Sequence, residues 1–212
     1  MIGGGELYER ILQLKRFSEA DAAYVAYQLL YALNYMHKQN IVHRDMKPEN
    51  VLLESKDPGN WHVKITDFGF SKCYDPMEGG LQETLGSPLY MAPEIVKKLP
   101  YDYKVDIWSL GVMIYILLSG NPPFKGRSKE DIFVAVTTAN INYIDGVWGK
   151  ISPQAKDFIK RMLIRDPKQR ATAEELLKHD WITYHRENPD VEKNDLIEIS
   201  LNLQHFKKNT TF

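Results

Sequence analysis

Four polar side chains in the first third of the chain are of the types that phosphoryl transfer needs. Residues 43–50 read HRDMKPEN, and Asp67 follows after a short predicted hairpin. The Asp45 carboxylate could take the proton of an acceptor hydroxyl, and the Lys47 ammonium could neutralise charge on the transferring phosphoryl. Asn50 and Asp67 could supply the hard oxygen ligands that Mg²⁺ prefers. Side chains of these types could together serve phosphoryl transfer from a magnesium-bound nucleotide.

Two short motifs after this string strengthen the prediction. Asp-Phe-Gly occupies residues 67–69, and Ala-Pro-Glu occupies residues 92–94, at activation-loop distance. The three motifs resemble the signature set of protein kinases, and almost all of residues 2–206 resembles the large C-terminal lobe of a Ser/Thr kinase. The resemblance implies a mainly α fold with short β hairpins, ATP and Mg²⁺ as cofactors, and a protein substrate. No Gly-rich loop, strand lysine or regulatory-helix glutamate precedes His43, so we expect the small β-rich lobe to be absent.

The resemblance also implies structural roles for several residues. Asp106 is similar to the buried carboxylate of the central helix that anchors the catalytic loop. Glu94 and Arg170 are similar to the ion pair that fixes the activation segment. Ser87 stands where Ser/Thr kinases place a hydroxyl against the catalytic Asp and Lys. Ser87 and Lys47 thus favour Ser or Thr over Tyr as the phosphate acceptor.

The nucleotide site is expected to have one open face. Leu7 and Leu52 match the residues below the adenine, and His43 and Phe68 match two members of a hydrophobic stack shared with the small lobe. Without that lobe, Leu7, Leu52 and Phe68 should face a gap and expose apolar surface. A partner protein in place of the small lobe would cover this surface.

Two glutamates are candidates for substrate recognition. Glu6 and Glu49 match positions that bind arginines upstream of the phospho-acceptor in basophilic kinases. Pairing of carboxylate with guanidinium gives this role a physical basis. For each glutamate the alternative is an ordinary solvated surface charge.

Arg44 matches the arginine that pairs with a phosphothreonine of the activation loop. Counting back from Gly86 puts Glu83 in that place, and an acidic residue there could satisfy Arg44 without phosphorylation. A gap of one residue would put Thr84 there instead. Both alternatives stay open at the level of sequence.

Three segments along the chain and its C-terminal end carry a resemblance to one kinase subfamily. Residues 4–11, 115–124 and 179–182 resemble calcium/calmodulin-type kinases, most of all the calcium-dependent kinases of plants and protists. Apolar residues recur at helical spacing over 196–206, which predicts an amphipathic helix. This helix resembles the regulatory junction that blocks the substrate groove in that family, and simple docking on the lobe is the alternative. No calcium loop follows, so a calcium sensor would lie outside this chain.

Composition describes one ordinary globular domain with a tail, which we divide into a lobe (1–185) and a linker with the amphipathic helix (186–212). The net charge of −1 gives no field for nucleic acid. The longest apolar stretch, 107–118, is too short to span a bilayer and predicts a buried central helix. The single Cys73 excludes an internal disulfide, is expected to be packed, and fits a cytoplasmic location.

Local signals predict where the elements begin. Capping residues indicate helix starts at Ser18, Ser128, Ser152 and Thr172. Short strands are predicted at 41–42, 51–53 and 62–66.

Three functions fit these observations. The chain is part of a Ser/Thr kinase in which Met1 is internal, a naturally truncated half-kinase that acts as a scaffold, or a binding module that docks on a partner. The presence of all four chemical residues favours the first. Because nothing in the chain would align the phosphates from above, we expect no useful kinase activity from it alone.

Overall fold

A helix that is buried on every side forms the centre of the computed structural model. The structure describes residues 3–188, except 15, 16, 76, 78 and 145, and it also describes residues 202 and 203. The helices are α1 Leu7–Leu14, α2 Glu19–Lys38, α3 Pro93–Val96, α4 Lys104–Ser119, α5 Lys129–Thr138, α6 Pro153–Met162, α7 Ala173–Leu177 and α8 Asp180–Glu187. The strands are β1 Ile41–Val42, β2 Val51–Leu53, β3 Val63–Ile65 and β4 Lys72–Cys73. The predicted mainly α fold is confirmed.

The central helix is α4, and every residue from Val105 to Ser119 is buried. A helix that is apolar all round has no face for water and needs neighbours on each side. Helices α2 and α6 are two of these neighbours. Gly111 permits the close approach of α6, because a Cβ at this position would lie 2.8 Å from Cβ of Met162. The predicted buried helix is therefore confirmed.

Local capping fixes where four helices begin. The residues that cap α2, α5, α6 and α7 are Ser18, Ser128, Ser152 and Thr172. Each side-chain oxygen accepts a backbone N–H of the first turn, which satisfies a donor that has no partner within the helix. The four predicted helix starts are confirmed.

Two small antiparallel pairs of strands lie beside the helices. β2 pairs with β3, with Val51 opposite Ile65, and β1 pairs with β4, with Ile41 opposite Cys73. The sequence predicts the first three strands but not β4, because Lys72 and Cys73 are both exposed and form no β-branched or apolar run. Cys73 is exposed, so the expectation that it is packed is wrong.

Residues 3–6 run beside β2 and extend this small sheet. The Gly4 amide donates to the Leu53 carbonyl at 3.0 Å, and the Leu53 amide donates to the Gly5 carbonyl at 2.9 Å. A Cβ at Gly4 would lie 2.4 Å from the Ser55 carbonyl oxygen, so only glycine fits this approach.

The predicted boundary after residue 185 falls inside α8, which continues to Glu187. The predicted amphipathic helix at 196–206 lies outside the described residues, apart from 202 and 203. Asn202 donates to the Ser119 carbonyl at 3.1 Å, and Leu203 is buried. None of the helices in the described part of the chain is long and apolar enough to cross a membrane.

A partly buried carboxylate joins the start of α2 to α6 and α8. Glu19 accepts the Trp181 indole N–H at 2.8 Å and the Ser152 amide N–H at 3.1 Å, together with the Ser152 hydroxyl. The His185 imidazole lies 3.9 Å away. Burial alone would raise the pKa of Glu19, but the nearby His185 imidazole and the hydrogen bonds from Ser152 and Trp181 outweigh it and lower this pKa.

We predict that Glu19→Gln destabilises the lobe at neutral pH by about 1.5–3 kcal/mol, the scale of hydrogen bonds to a charged group. Since the folded pKa lies below the ordinary value of 4.5, the charge stabilises the fold above pH 4.5. This contribution is lost as the pH falls through the folded pKa. Urea unfolding of both proteins at pH 7 and below pH 4 measures the difference.

The matched control is Glu54→Gln, because Glu54 pairs with Lys64 at 3.2 Å on the surface. This variant should unfold like the wild type, since exposed pairs contribute little. A Glu19→Gln difference that stays constant across the same pH range would contradict the prediction.

Candidate active site

The loop that carries the chemical residues is fastened to the start of α4. Asp106 is fully buried and accepts the backbone amides of His43 and Arg44 at 2.9 Å and 2.8 Å. Nε2 of His37 lies 2.9 Å from the same carboxylate. Arg44 has a positive φ of 70°, a conformation that costs energy for a residue with a side chain and is held here by its surroundings. The predicted anchoring role of Asp106 agrees with these contacts.

The Asp45 carboxylate is the centre of a polar cluster. It is 4% exposed, and its Oδ1 accepts the Ser87 amide at 3.2 Å and the Ser87 hydroxyl at 3.0 Å. Its Oδ2 lies 2.6 Å from Nζ of Lys47 and accepts the Asn50 amide group at 3.2 Å. Lys47 also donates to the Ser87 hydroxyl at 3.3 Å. The structure therefore brings together four of the predicted site residues.

Asp67 and Asn50 lie at the same end of the hairpin β2–β3. Asn50 directly precedes β2, and Thr66, which follows β3, donates its amide to the Asn50 carbonyl at 2.9 Å. Asp67 comes next, is exposed, has a φ of 58°, and accepts the Gly69 amide at 3.2 Å. The side-chain oxygens of Asn50 and Asp67 are hard donors of the kind that Mg²⁺ takes, so these two residues fit the predicted metal.

Gly86 brings the Ser87 side of the cluster close to the loop. Its φ is 109°, and a Cβ there would lie 2.8 Å from the Arg44 carbonyl oxygen. A side chain would therefore be strained and would push residues 86 and 87 away from Asp45.

The Arg44 guanidinium extends away from the cluster to the activation segment. It donates to Glu83 at 2.8 Å and to the Phe70 carbonyl at 2.5 Å. Glu83 thus occupies the place opposite Arg44, and Thr84 is exposed. A hydrogen bond from Lys72, and then the charge of Arg44, lower the pKa of Glu83 despite some burial. The carboxylate is therefore charged at neutral pH.

Sequence reasoning missed two other residues that hold Glu83. Lys72 donates to its carboxylate at 2.6 Å, and the Tyr101 hydroxyl donates to its carbonyl at 2.8 Å. The backbones of Tyr101 and Leu81 form a two-bond bridge at 2.8 Å and 2.9 Å. No spacing marks Tyr101, since its partner is a carbonyl 18 residues away.

The predicted ion pair between Glu94 and Arg170 is present and buried. Two guanidinium nitrogens donate to the two carboxylate oxygens at 2.6 Å and 2.9 Å, which is the strong two-point geometry. Arg170 also donates to the Lys104 carbonyl at 2.9 Å, and it lies over the Trp108 ring at 5.1 Å. This pair connects α3 at the end of the activation segment to the beginning of α4.

The predicted nucleotide floor is only partly as expected. Leu7 is fully buried in the core, so the prediction that it faces a gap is wrong. The reason is that α1 packs against β2 and covers this side chain. Leu52 is partly exposed, and Phe68 is 53% exposed while its ring contacts that of His43 at 5.2 Å. Leu52 and Phe68 are thus at least partly exposed to solvent at the predicted nucleotide site, whereas Leu7 belongs to the core.

The two candidate substrate glutamates differ in exposure. Glu49 is exposed, whereas Glu6 is partly buried and its backbone bridges that of Leu52. Burial raises the pKa of both Tyr8 and Tyr90, and the negative charge of Glu49 raises both further. Glu49 therefore lies close to two phenols, and its role in recognition stays a prediction.

Comparisons with known proteins agree with this geometry. A family model for the protein kinase domain matches residues 1–182. The chain is 44% identical over 191 residues to calcium-dependent protein kinase 17 of Arabidopsis thaliana, covering 90% of this chain and 36% of that protein. It is 45% identical over 179 residues to calcium-dependent protein kinase 4 of Plasmodium berghei, covering 84% and 34%.

A third relative is closer to this chain in length. Myosin light chain kinase A of Dictyostelium discoideum is 42% identical over 192 residues, covering 91% of this chain and 64% of that protein. The chain thus spans about a third of the length of the calcium-dependent kinases that it matches. Because the family model matches residues 1–182 and the motifs have the geometry described above, the chain belongs to the protein kinase domain family.

Proposed function

We propose that the protein transfers a phosphoryl group from ATP to Ser or Thr hydroxyls of protein substrates. The observation that carries the proposal is the Asp45 carboxylate, held at both oxygens by Ser87, Lys47 and Asn50. Such a carboxylate is fixed in direction before a substrate arrives, which is what orientation of an acceptor hydroxyl needs.

Each residue of the cluster has one task in this reaction. Asp45 accepts the proton of the acceptor hydroxyl. Lys47, 23% exposed and paired with Asp45 at 2.6 Å, can turn its ammonium to the charge that develops on the phosphoryl oxygens. Ser87 donates to Asp45 and accepts from Lys47, so it keeps the two charged groups in register.

Asn50 and Asp67 are the proposed ligands of Mg²⁺. The metal, when bound with ATP, would neutralise phosphate charge. The Asn50 amide group donates to the Asp45 backbone carbonyl at 2.8 Å and to its carboxylate at 3.2 Å. With its nitrogen used in this way, the amide oxygen is the end that remains to face a cation.

The substrate is proposed to be basic, with Glu6 and Glu49 as the recognition residues. A peptide arginine would pair with Glu49, which is exposed beside Tyr8 and Tyr90. The similarity to kinases named calcium-dependent suggests control by a calcium sensor outside this chain.

A second candidate function is that of a binding module. The observation that favours it is the exposure of two apolar side chains, Phe68 and in part Leu52, which another protein can cover. A full gene product without kinase activity would favour this function over the first.

We predict that the full gene product phosphorylates a basic Ser/Thr peptide and that Asp45→Asn lowers kcat by about 10²–10⁴-fold, the range for loss of a general base. Residues 1–212 alone should show no useful turnover, since the described residues offer the nucleotide a floor and no group above it that would align the phosphates. Radiolabelled phosphate transfer measures all three proteins. Turnover by residues 1–212 comparable to the full product, and abolished by Asp45→Asn, would contradict the prediction for the lobe.

We predict that Gly86→Ala lowers kcat of the full product by about 10–100-fold, because the added Cβ meets the Arg44 carbonyl and displaces Ser87. The control is Gly149→Ala, since a Cβ at Gly149 meets nothing within 4 Å and its φ is not positive. Steady-state kinetics measures kcat of both variants and the wild type. If their melting temperatures are equal, a difference in kcat reports on chemistry and not on stability. Equal kcat values for the two variants would show that the close approach at Gly86 does not position the cluster.

We predict that Glu83→Gln lowers kcat about fivefold, the upper scale of a half-exposed ion pair, since Arg44 and Lys72 lose their charged partner. The lowered pKa of Glu83 keeps it charged above its ordinary pKa, so its contribution should be constant between pH 6 and pH 8. Glu174→Gln, which removes a surface pair with Lys38 and Lys178, is the control. Wild-type activity that requires phosphorylated Thr84 would argue against this role for Glu83.

A further inference from the structure

Arg10 is a buried arginine that the chemistry described so far does not use. It lies on α1, is 5% exposed, and its guanidinium donates to three backbone carbonyls. The acceptors are Asp57 at 2.6 Å, Ser55 at 2.6 Å and Gly4 at 3.2 Å. A buried guanidinium is costly unless its donors are satisfied, so these carbonyls are fixed relative to α1.

The three carbonyls belong to two segments that approach each other closely. Ser55 and Asp57 lie in the turn between β2 and β3, and Gly4 lies in the segment that runs beside β2. The approach is tight, because a Cβ on Gly4 would lie 2.6 Å from Cβ of Leu53. Arg10 therefore joins the hairpin and the N-terminal segment into one unit with α1.

The opposite end of the same hairpin carries the chemistry. Asn50 directly precedes β2, and Asp67 is the second residue after β3. The Thr66 amide closes this end on the Asn50 carbonyl at 2.9 Å. Leu52, on the floor of the nucleotide site, lies within β2. Each strand of the pair has three residues, so only these three paired positions separate the turn that Arg10 holds from the end that carries Asn50 and Asp67.

We propose that Arg10 is a positioning residue for the nucleotide and its metal, acting through the hairpin β2–β3. This inference rests on the proposed function. Arg10 binds the three carbonyls through the shape of its guanidinium more than through its charge, because each carbonyl is neutral. A lysine keeps the charge but has a single ammonium, which cannot span the three acceptors in the same way.

The test compares the wild type, Arg10→Lys and Arg10→Ala as full gene products. The first readout is backbone amide exchange of residues 3–5 and 53–57 against that of α4. The second is the split between KM for MgATP and kcat. Arg161→Lys is the matched control, since Arg161 is exposed and pairs only with Asp157 in the described contacts, at 2.8 Å.

In Arg10→Lys we expect faster amide exchange at residues 3–5 and 53–57 and unchanged exchange in α4. We also expect the KM for MgATP to rise about tenfold while kcat stays within about twofold of the wild type. This combination indicates the loss of an interaction made equally with the ground state and the transition state. Arg10→Ala should have a larger effect, and Arg161→Lys none. Arg10→Lys remains informative even if Arg10→Ala does not fold.

Two results overturn the inference. Unchanged exchange in folded Arg10→Lys would show that Arg10 does not hold the hairpin. Faster exchange with an unchanged KM for MgATP would show that its role is only structural. A wild-type protein that neither binds ATP nor transfers phosphate would overturn the proposed function and, with it, the nucleotide part of the inference. The exchange result would still decide whether Arg10 holds the hairpin.

Discussion

A buried carboxylate on α4 is the constraint on which the site depends. Asp106 has no access to water, and burying its charge would cost several kcal/mol without donors around it. The amides of His43 and Arg44 and the imidazole of His37 supply these donors. The loop is therefore held where both amides point at Asp106, and the positive φ of Arg44 follows from this requirement.

A second buried charge is fastened to the same turn of α4. Arg170, paired with Glu94, donates to the Lys104 carbonyl, and the Lys104 ammonium donates back to the Arg170 carbonyl at 2.8 Å. Lys104 and Asp106 are two residues apart, so the catalytic loop and the end of the activation segment share one rigid support. This explains how Asp45 and Ser87, 42 residues apart, meet at hydrogen-bond distance.

The sequence predicts features whose cause is local or lies within a recognisable motif. The helix starts follow from capping residues three positions from their partners, and the contacts of Asp45, Asp106 and Arg170 follow from the resemblance. The role of Arg10 could not be predicted, because two of its three acceptors are carbonyls at least 45 residues away in the hairpin turn. The burial of Leu7 was also beyond prediction, since it depends on how α1 packs against β2.

The two halves of the proposed reaction differ in their support among the described residues. On the acceptor side, Ser87, Lys47 and Asn50 hold both oxygens of the Asp45 carboxylate. On the proposed nucleotide side the ring stack is open, because His43 is fully buried whereas Phe68 against it is 53% exposed. Under the proposed function, orientation of the hydroxyl would come from this lobe, and alignment of the phosphates would need a second surface that covers Phe68.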